Sequence, residues 1–199
     1  MTRLLLASQS AGRAQMLHDA GLDFTVEPAS LDEAALTAAL QAEGQSPRNI
    51  ADALAEAKAL KLSARRPGQL VIGADQLLAL DDGSLLAKPA TPSDAEAQLA
   101  RLSGQRHRLL SAVVVAENGT VLWRHIGEAS LWVRPLGAAF IAAYVAKYWD
   151  RIRWTVGCYE VEGAGVQLFT RTEGDRWTII GLPLLPLLGW LRERGEIGQ

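Results

Sequence analysis

Two hydroxyl side chains, a glycine and an arginine follow the first short apolar run of the sequence. Ser8, Ser10, Gly12 and Arg13 come directly after Leu4–Ala7, where a predicted strand gives way to a helical pattern. A helix N-terminus presents unpaired N–H groups and a partial positive charge, and an arginine can bond two phosphate oxygens at once. The segment therefore predicts a phosphate cradle. The structural alternative is that a serine caps the helix and that Arg13 is a solvated surface residue.

A carboxylate closes a strongly apolar run further along the chain. Asp75 follows Val-Ile-Gly-Ala and is itself followed by Gln76. A buried carboxylate is unfavourable unless it is paired, hydrogen-bonded or bound to a metal, and the ends of strands are where ligands bind in α/β folds. On the residues alone, a functional role and a turn-forming role for Asp75 fit equally well.

Other charged side chains also have an ordinary and a functional interpretation. Lys58 lies in an alanine-rich helical pattern and Lys88 precedes a proline, and each alone is typical of a solvated lysine. Glu33 stands three residues after Ser30, which is the spacing of a capping box and indicates a structural role. His107 is a lone histidine, more typical of a structural position than of a catalytic one. The sequence has no zinc-ligand spacing and no Walker or Rossmann glycine pattern.

The elements that must position these residues alternate between strands and helices. Strands are predicted at Leu4–Ala7, Phe24–Glu27, Leu70–Leu80, Leu85–Ala87, Arg108–Ala116 and Val121–Val133, and as a pair between Gly157 and Glu173. Helices are predicted up to Gly21, from Ser46-Pro47 to about Arg66, from the capping box Ser93-x-x-Glu96 to Ser103-Gly104, over Leu136–Tyr148, and after Gly181-Leu-Pro183. Asn118-Gly119 indicates a hairpin. The pattern predicts an α/β fold with a long twisted mixed sheet flanked by helices, and Leu136–Tyr148 in a second lobe.

Composition limits the class of protein. With 199 residues, the chain is predicted to form one domain over 1–199, and its 49% hydrophobic and 21% charged residues exclude intrinsic disorder. Twenty Lys+Arg against 22 Asp+Glu argue against a surface that binds nucleic acid or anionic lipid. The single cysteine, Cys158, excludes an internal disulfide and fits a reducing compartment. No apolar run suits a signal peptide or a membrane span, so we expect a cytoplasmic protein.

Taken in order, the motifs resemble those of the Maf family of nucleotide pyrophosphatases, which shares its fold with the inosine-triphosphate pyrophosphatases. The matching segments are Leu6-Ala-Ser8-x-Ser10-x-x-Arg13, Asp32-Glu33, Ala55-x-Ala57-Lys58-Ala59, Ile72-Gly-Ala-Asp75, Lys88-Pro89, Leu102-Ser-Gly-x-x-His107, Tyr159-x-x-Glu162-Gly163 and Ile180-Gly-Leu-Pro183. Each motif is weak alone, but together they keep the family's order over nearly the whole chain. The resemblance implies a fold of two lobes with a cleft between them.

The resemblance also implies an activity. Members of the family hydrolyse a nucleoside triphosphate between its α- and β-phosphates, giving the monophosphate and pyrophosphate. By this likeness Asp75 is the proton acceptor, and Glu33 and Asp75 lie at a divalent cation, Mg²⁺ or Mn²⁺. The residues assigned in the same way to the phosphates are Ser8, Ser10, Arg13, Lys58 and Lys88. Whether Asp75 binds the metal, takes the proton or does both stays open at this point.

Three positions bear on the choice of base. The branch of the family that acts on dTTP and UTP has Asp-Thr and Tyr-x-x-Gln-Gly, whereas this chain has Gln76 and Glu162 at those places, as in the 7-methyl-GTP branch. A carboxylate suits guanine, whose N1–H and N2–H₂ groups are donors, and methylation at N7 makes the base cationic. Gly12 departs from both branches, which have a large residue before the arginine. The resemblance favours 7-methyl-GTP, with dTTP and UTP as the alternative.

A function of another class is a non-catalytic nucleotide-binding regulator of cell division, because the family has been associated with septum formation. The presence of Asp75 together with three cations favours catalysis, since a pure binder needs no acid that activates water. The resemblance further suggests a homodimer, for which the six tryptophans and the Leu-rich C-terminal segment could supply an apolar interface. We expect neither nucleic acid nor a membrane as a partner.

Overall fold

A computed structural model describes residues 3–198 of the chain. Its strands are β1 Leu4–Ala7, β2 Phe24–Val26, β3 Leu70–Leu80, β4 Leu85–Leu86, β5 Arg106–Glu117, β6 Thr120–Val133 and β7 Phe169–Glu173. Its α-helices are α1 Ala11–Asp19, α2 Glu33–Ala42, α3 Pro47–Ser63, α4 Pro92–Leu102, α5 Ala138–Ile152, α6 Arg176–Ile180 and α7 Leu184–Glu193, and a 3₁₀ turn covers Ala164–Leu168.

The strands form one mixed sheet of seven strands in the order β2-β1-β3-β5-β6-β7, with β4 paired to β3. β1 is parallel to both of its neighbours, and its Leu4 stands opposite Phe24 of β2 and Leu70 of β3. β4 and β7 run antiparallel to β3 and β6. The predicted mixed α/β sheet flanked by helices is therefore confirmed.

The chain divides into two compact units. The first contains the residues up to Gln76, Ser111–Gly127 and the segment from Arg176 onward, and the second contains Leu77–Leu110 and Glu128–Asp175. The strands β3, β5 and β6 each contribute residues to both units. α5, the segment predicted to belong to a second lobe, lies in the second unit.

In the first unit the sheet is covered on both faces, which explains why β1 is apolar throughout. Alternate residues of a strand point to opposite faces. Leu4 and Leu6 pack in one cluster with residues of α1 and α7, whereas Leu5 and Ala7 pack in another with Leu62 of α3. All four residues of β1 are buried, as expected for a parallel strand with helices on both sides.

The α4 helix begins at a residue other than the predicted one, and the capping box suggested by Ser30 and Glu33 does not form. α4 is capped by Thr91, which forms a capping box with Asp94, so the box predicted at Ser93-x-x-Glu96 is wrong. The two spacings overlap, and a proline at the first helical position favours the earlier one. α2 is capped by Asp32, not by Ser30, whose φ of 48° is left-handed and unlike the extended backbone of an N-cap.

The strand pair predicted between Gly157 and Glu173 is also wrong in its first half. Only β7 is a strand, and the residues before it form turns and the 3₁₀ segment. Gly157 and Cys158 have φ values of 80° and 61°, and two successive left-handed residues are incompatible with a strand. The helices α2 and α6 were not predicted. Within residues 3–198, no helix combines the length and the apolar character needed to cross a membrane.

Candidate active site

The loop between β1 and α1 is tied together by its two hydroxyl groups. Ser10 is the N-cap of α1, and its Oγ accepts a hydrogen bond from the backbone N–H of Arg13 at 3.3 Å. The Oγ of Ser8 accepts bonds from the Ser10 N–H and from Nη1 of Arg13, each at 3.2 Å. The capping role of a serine is therefore confirmed, and the cap holds the positive end of α1 beside this loop.

Arg13 is a buried residue, with 9% of its surface exposed. Its Nε donates to the carbonyl oxygen of Gly181 at 2.8 Å, and Nη1 donates to that of Ala74 at 3.0 Å. The alternative of a solvated surface arginine is wrong. Burial lowers the pKa of the guanidinium, and the charges of Asp75 and Glu33 oppose that shift. Arginine stays protonated in proteins, so a positive charge is fixed at this point.

Asp75 lies inside β3 rather than in a turn, and 4% of its surface is exposed. Its Oδ1 accepts a hydrogen bond from Nζ of Lys58 at 2.6 Å. Burial raises the pKa of the Asp75 carboxyl, while the positive charges of Lys58 and Arg13 act in the opposite direction. The turn-forming interpretation is wrong, because the chain continues as a strand to Leu80.

Lys58 joins two acidic side chains from different elements. Its Nζ is 2.6 Å from Oδ1 of Asp75 and 2.9 Å from Oε1 of Glu33, and only 7% of its side chain is exposed. The solvated lysine expected from an isolated position is therefore wrong. Glu33 is the first residue of α2 and does not act as the capping-box partner of Ser30. The structure brings together residues from α2, α3 and β3 that lie far apart in the sequence.

A glycine in β3 allows α3 to lie close enough for this contact. A Cβ atom on Gly73 would stand 2.2 Å from the carbonyl oxygen of Ala55 and 2.7 Å from the backbone nitrogen of Ala59. Gly73 and Asp75 share a face of the strand, because residues two apart point the same way. Lys58 lies between the two alanines on α3, so the close approach of helix and strand brings its ammonium to the carboxylate.

Gln76 points to the other face of β3 and holds the end of α6. Its Nε2 lies 3.0 Å from Oγ of Ser111, 3.1 Å from the carbonyl oxygen of Thr178 and 2.9 Å from that of Ile179. The Ser111 hydroxyl donates to the same Thr178 oxygen at 2.7 Å. This network lies just before Gly181, whose carbonyl binds Arg13.

No role was predicted for Ser111 or for the segment 178–181. A signal for Ser111 was present, because it is a hydroxyl residue inside the otherwise apolar run Leu109–Ala116. The Ile180-Gly-Leu-Pro183 motif was noted, but nothing in the sequence connects it to Arg13. Both belong to the surroundings of the candidate site through the hydrogen bonds above.

Comparison with known proteins shows the family of the chain. The family model described as "Maf-like protein" matches residues 3–194. This chain belongs to the Maf family. It is 67% identical over 196 residues to a protein of Sphingopyxis alaskensis named "Nucleoside triphosphate pyrophosphatase", covering 98% of this chain and 99% of that one. Proteins of Rhizobium etli and Mesorhizobium japonicum named "7-methyl-GTP pyrophosphatase" are 48% and 49% identical over 195 residues, with 98% of each chain covered.

Two carboxylates of this Maf protein are candidates for holding a divalent cation. Asp75 and Glu33 both bring an oxygen within 3 Å of the same Lys58 nitrogen, so they face one cationic point. Among residues 3–198, no group of three or more His, Cys, Asp or Glu side chains is arranged to hold a metal. Mg²⁺ commonly binds through one or two carboxylates together with substrate phosphates and water, and this donor set fits that pattern.

Three other predicted residues occupy different surroundings. Gly12 lies in the first turn of α1, and with no side chain it offers nothing to stack on a base. Lys88 and Glu162 are exposed residues of the second unit, Lys88 just after β4 and Glu162 in the turn before the 3₁₀ segment. Their assignments to phosphate and base stay predictions.

The segment that carries Glu162 is anchored inside the second unit by a buried histidine. Nε2 of His107 lies 2.6 Å from the hydroxyl of Tyr159, and the His107 side chain is fully buried. Burial lowers the pKa of His107 to about 4, so the ring is neutral at physiological pH. His107 therefore has the structural role that its isolated position in the sequence indicated.

Proposed function

We propose that this chain hydrolyses a nucleoside triphosphate at the bond between the α- and β-phosphates. The products are the nucleoside monophosphate and pyrophosphate, which makes the enzyme a hydrolase of nucleotide metabolism. The observation that carries the proposal is the buried Asp75 carboxylate held next to the ammonium of Lys58, in the electrostatic field of Arg13. The names of its relatives in the Maf family support the same reaction.

The positive groups of the site suit the charged tail of the substrate. Arg13 and Lys58 are buried cations, and the capped N-terminus of α1 adds its partial positive charge. We assign phosphate oxygens to these groups, to the hydroxyls of Ser8 and Ser10, and to Lys88. Fixed donors of this kind hold the reacting phosphate in place and stabilise the charge that develops on it.

Asp75 is assigned the role of proton acceptor. A water molecule attacks the α-phosphorus, and its proton passes to a carboxylate oxygen of Asp75. The bond between the α-phosphorus and the bridging oxygen breaks, and pyrophosphate leaves with that oxygen. Because burial raises the pKa of this carboxyl, it is a stronger base than an exposed aspartate. Asp75 and Glu33 would hold a divalent cation, Mg²⁺ or Mn²⁺, which screens phosphate charge when bound.

We propose 7-methyl-GTP as the favoured substrate, ahead of dTTP and UTP. Glu162 supplies a carboxylate that matches the donors of guanine and the positive charge of its N7-methylated form. Two relatives named for this activity, each nearly half identical to the chain, support the choice. We do not assign Gln76 a direct contact with the base through its amide nitrogen, because that nitrogen already donates to protein oxygens.

The test is pyrophosphate release from a panel of nucleotides that includes N7-methylated ones, with Mg²⁺ and with Mn²⁺, scored as kcat/KM. We expect release that requires the metal and is highest with 7-methyl-GTP. Tight binding of nucleotide with no pyrophosphate formed by any of them would contradict the proposed reaction. It would favour the alternative of a nucleotide-binding regulator.

We also propose that the enzyme works as a homodimer in the cytoplasm. In the first unit Leu185 on α7 is 55% exposed, and in the second unit Trp154 is 66% exposed. Aromatic residues such as tryptophan are enriched at interfaces between proteins. Light scattering coupled to size-exclusion chromatography measures the mass directly, and a mass of one chain at micromolar concentration would exclude the dimer.

A further inference from the structure

The ammonium of Lys58 occupies the place where the two candidate metal-binding carboxylates meet. Its Nζ contacts Oδ1 of Asp75 at 2.6 Å and Oε1 of Glu33 at 2.9 Å. The Lys58 and Asp75 side chains are almost completely buried, so water screens the contact between them little, whereas the Glu33 side chain is half exposed. The ammonium donates a hydrogen bond to Asp75 and forms an ion pair with Glu33, so it is in contact with the oxygens that a divalent cation would need.

The charges of the cluster are already balanced. Asp75 and Glu33 contribute two negative charges, and Lys58 and Arg13 contribute two positive ones, with Arg13 acting on both carboxyl groups. A divalent cation that entered beside Lys58 would meet a site of no net charge and a positive group at close range. Repulsion between charges a few ångströms apart in a buried place is strong.

We propose that Lys58 acts as a built-in competitor for the metal, holding Asp75 and Glu33 until the triphosphate of the substrate draws its ammonium away. The inference rests on the proposed function, since the triphosphate is the anion that releases the lysine. Metal and nucleotide then bind with positive coupling, and the free enzyme has low affinity for the metal alone.

The change requires only the end of one side chain to move. Lys58 is carried by a helix that is packed directly on β3 at Gly73, so the backbone of α3 stays in place. The lysine side chain is a flexible stem of four carbons, so its ammonium can exchange carboxylate oxygens for phosphate oxygens. Because coupling between two ligands is reciprocal, each must raise the affinity of the other by the same factor.

The experiment measures Mn²⁺ binding to the protein without nucleotide, from the loss of the free-ion signal in electron paramagnetic resonance. Lys58→Met removes the charge and keeps an unbranched apolar side chain. We expect it to bind Mn²⁺ on the order of tenfold more tightly than the unmodified chain, because a charge-assisted hydrogen bond no longer has to be broken. An unchanged or weaker affinity in a folded Lys58→Met protein would overturn the proposal.

Two further variants keep the result interpretable. Lys61→Met removes a lysine of the same helix whose Nζ bonds the carbonyl oxygen of Ser30, and it should leave Mn²⁺ affinity unchanged. Adding Glu33→Gln to Lys58→Met should abolish the gain, which locates the ion at these carboxylates. If Lys58→Met does not give a cooperative melting transition, Lys58→Gln replaces it, and a gain with the charge-preserving Lys58→Arg would equally overturn the proposal.

This result is separable from that of the proposed function. Pyrophosphate release by the unmodified enzyme reports on the reaction, whereas the Mn²⁺ titration contains no nucleotide. An active enzyme with equal Mn²⁺ affinity in both proteins would overturn only the competition by Lys58. An inactive protein that still shows the gain would overturn only the reaction.

Discussion

Asp75 must meet two opposite requirements at one position. In its proposed role as base Asp75 gains from burial, which raises the pKa of its carboxyl, but the same burial disfavours the charge it needs in order to accept a proton. Lys58 and Arg13 resolve this conflict by stabilising the ionised form from two directions. The site is therefore a balanced group of charges, and the loss of any member changes the others.

Replacing Asp75 with asparagine tests its role as base. The amide has nearly the same shape but cannot accept the proton of water, so we expect kcat to fall by about 10²–10⁴-fold with nucleotide binding retained. Pyrophosphate release and equilibrium binding are measured in parallel. Asp81→Asn, at an exposed aspartate paired with Arg106, is the matched control and should keep full activity. A near-normal kcat for Asp75→Asn would move the base to Glu33.

Replacing Glu162 with glutamine tests the choice of base. The amide NH₂ would face the N1–H and N2–H₂ donors of guanine, and the neutral side chain would no longer attract the methylated, cationic ring. We therefore expect kcat/KM to fall more for 7-methyl-GTP than for UTP. The measurement is the ratio of kcat/KM for the two nucleotides. Glu193→Gln, an exposed position on α7, should leave that ratio unchanged. A ratio that Glu162→Gln does not alter would remove Glu162 from base selection.

At the residue scale the sequence identified most of the candidate site but not its contacts. Arg13, Lys58 and Asp75 were singled out, yet each had an ordinary interpretation of similar or greater weight. What decides between the interpretations is distance, and the contact of Lys58 with Asp75 depends on how α3 packs on β3. For Glu33 the deciding fact was the left-handed backbone of Ser30, which a residue type does not reveal.

At the scale of the elements, the site depends on how closely α3 packs on β3. Three small residues make it possible, since Gly73 meets the helix backbone at Ala55 and Ala59. Every side chain larger than hydrogen at position 73 would push the helix away from the strand. The Lys58 ammonium would then lose its short contact with Asp75, so stability and activity should fall together.

The substitution Gly73→Ala tests this link. Its Cβ would stand 2.2 Å from the carbonyl oxygen of Ala55, and overpacking of this kind lowers the free energy of unfolding by about 3 kcal/mol. Urea unfolding gives the stability, and pyrophosphate release gives the activity. Gly189→Ala, in α7 with no atom of the described residues near the new Cβ, should instead be neutral or stabilising by up to about 1 kcal/mol. Equal stability of the two variants would contradict the role of Gly73.

At the scale of the whole molecule, periodicity predicted the regular part of the sheet well. β1, β3, β5 and β6 lie where apolar runs or alternation placed them, and Asn118-Gly119 joins β5 to β6 with both residues at positive φ. The predicted elements are wrong where the sequence carries no periodic pattern or where one residue adopts an unusual backbone conformation. Cys158 adopts a left-handed conformation that its type does not favour, and α2 has no buried residue to give it an apolar stripe.

The buried histidine of the second unit makes the stability of the protein depend on pH. Tyr159 is the hydrogen-bond partner of His107 Nε2, whereas Nδ1 has no partner among residues 3–198, and burial lowers the pKa of His107 from 6.5 to about 4. The charge of Asp81 opposes that shift, but burial outweighs it. The unfolded chain therefore binds a proton between pH 6.5 and pH 4 that the native protein does not, so stability falls as the pH is lowered through this range and is insensitive to His107 above it.

Urea unfolding between pH 7.5 and pH 4.5 measures the effect. At 1.36 kcal/mol per pKa unit, the contribution of His107 approaches about 3 kcal/mol near pH 4. His107→Gln should be less stable at pH 7 because it alters a packed position, yet it should lose less stability than the unmodified protein on acidification. His18→Gln, at an exposed position of α1, is the control for the removal of a histidine side chain. If the curves of stability against pH for His107→Gln and the unmodified chain are parallel, His107 titrates equally in the native and unfolded states. The loss of stability in acid then comes entirely from carboxyl groups.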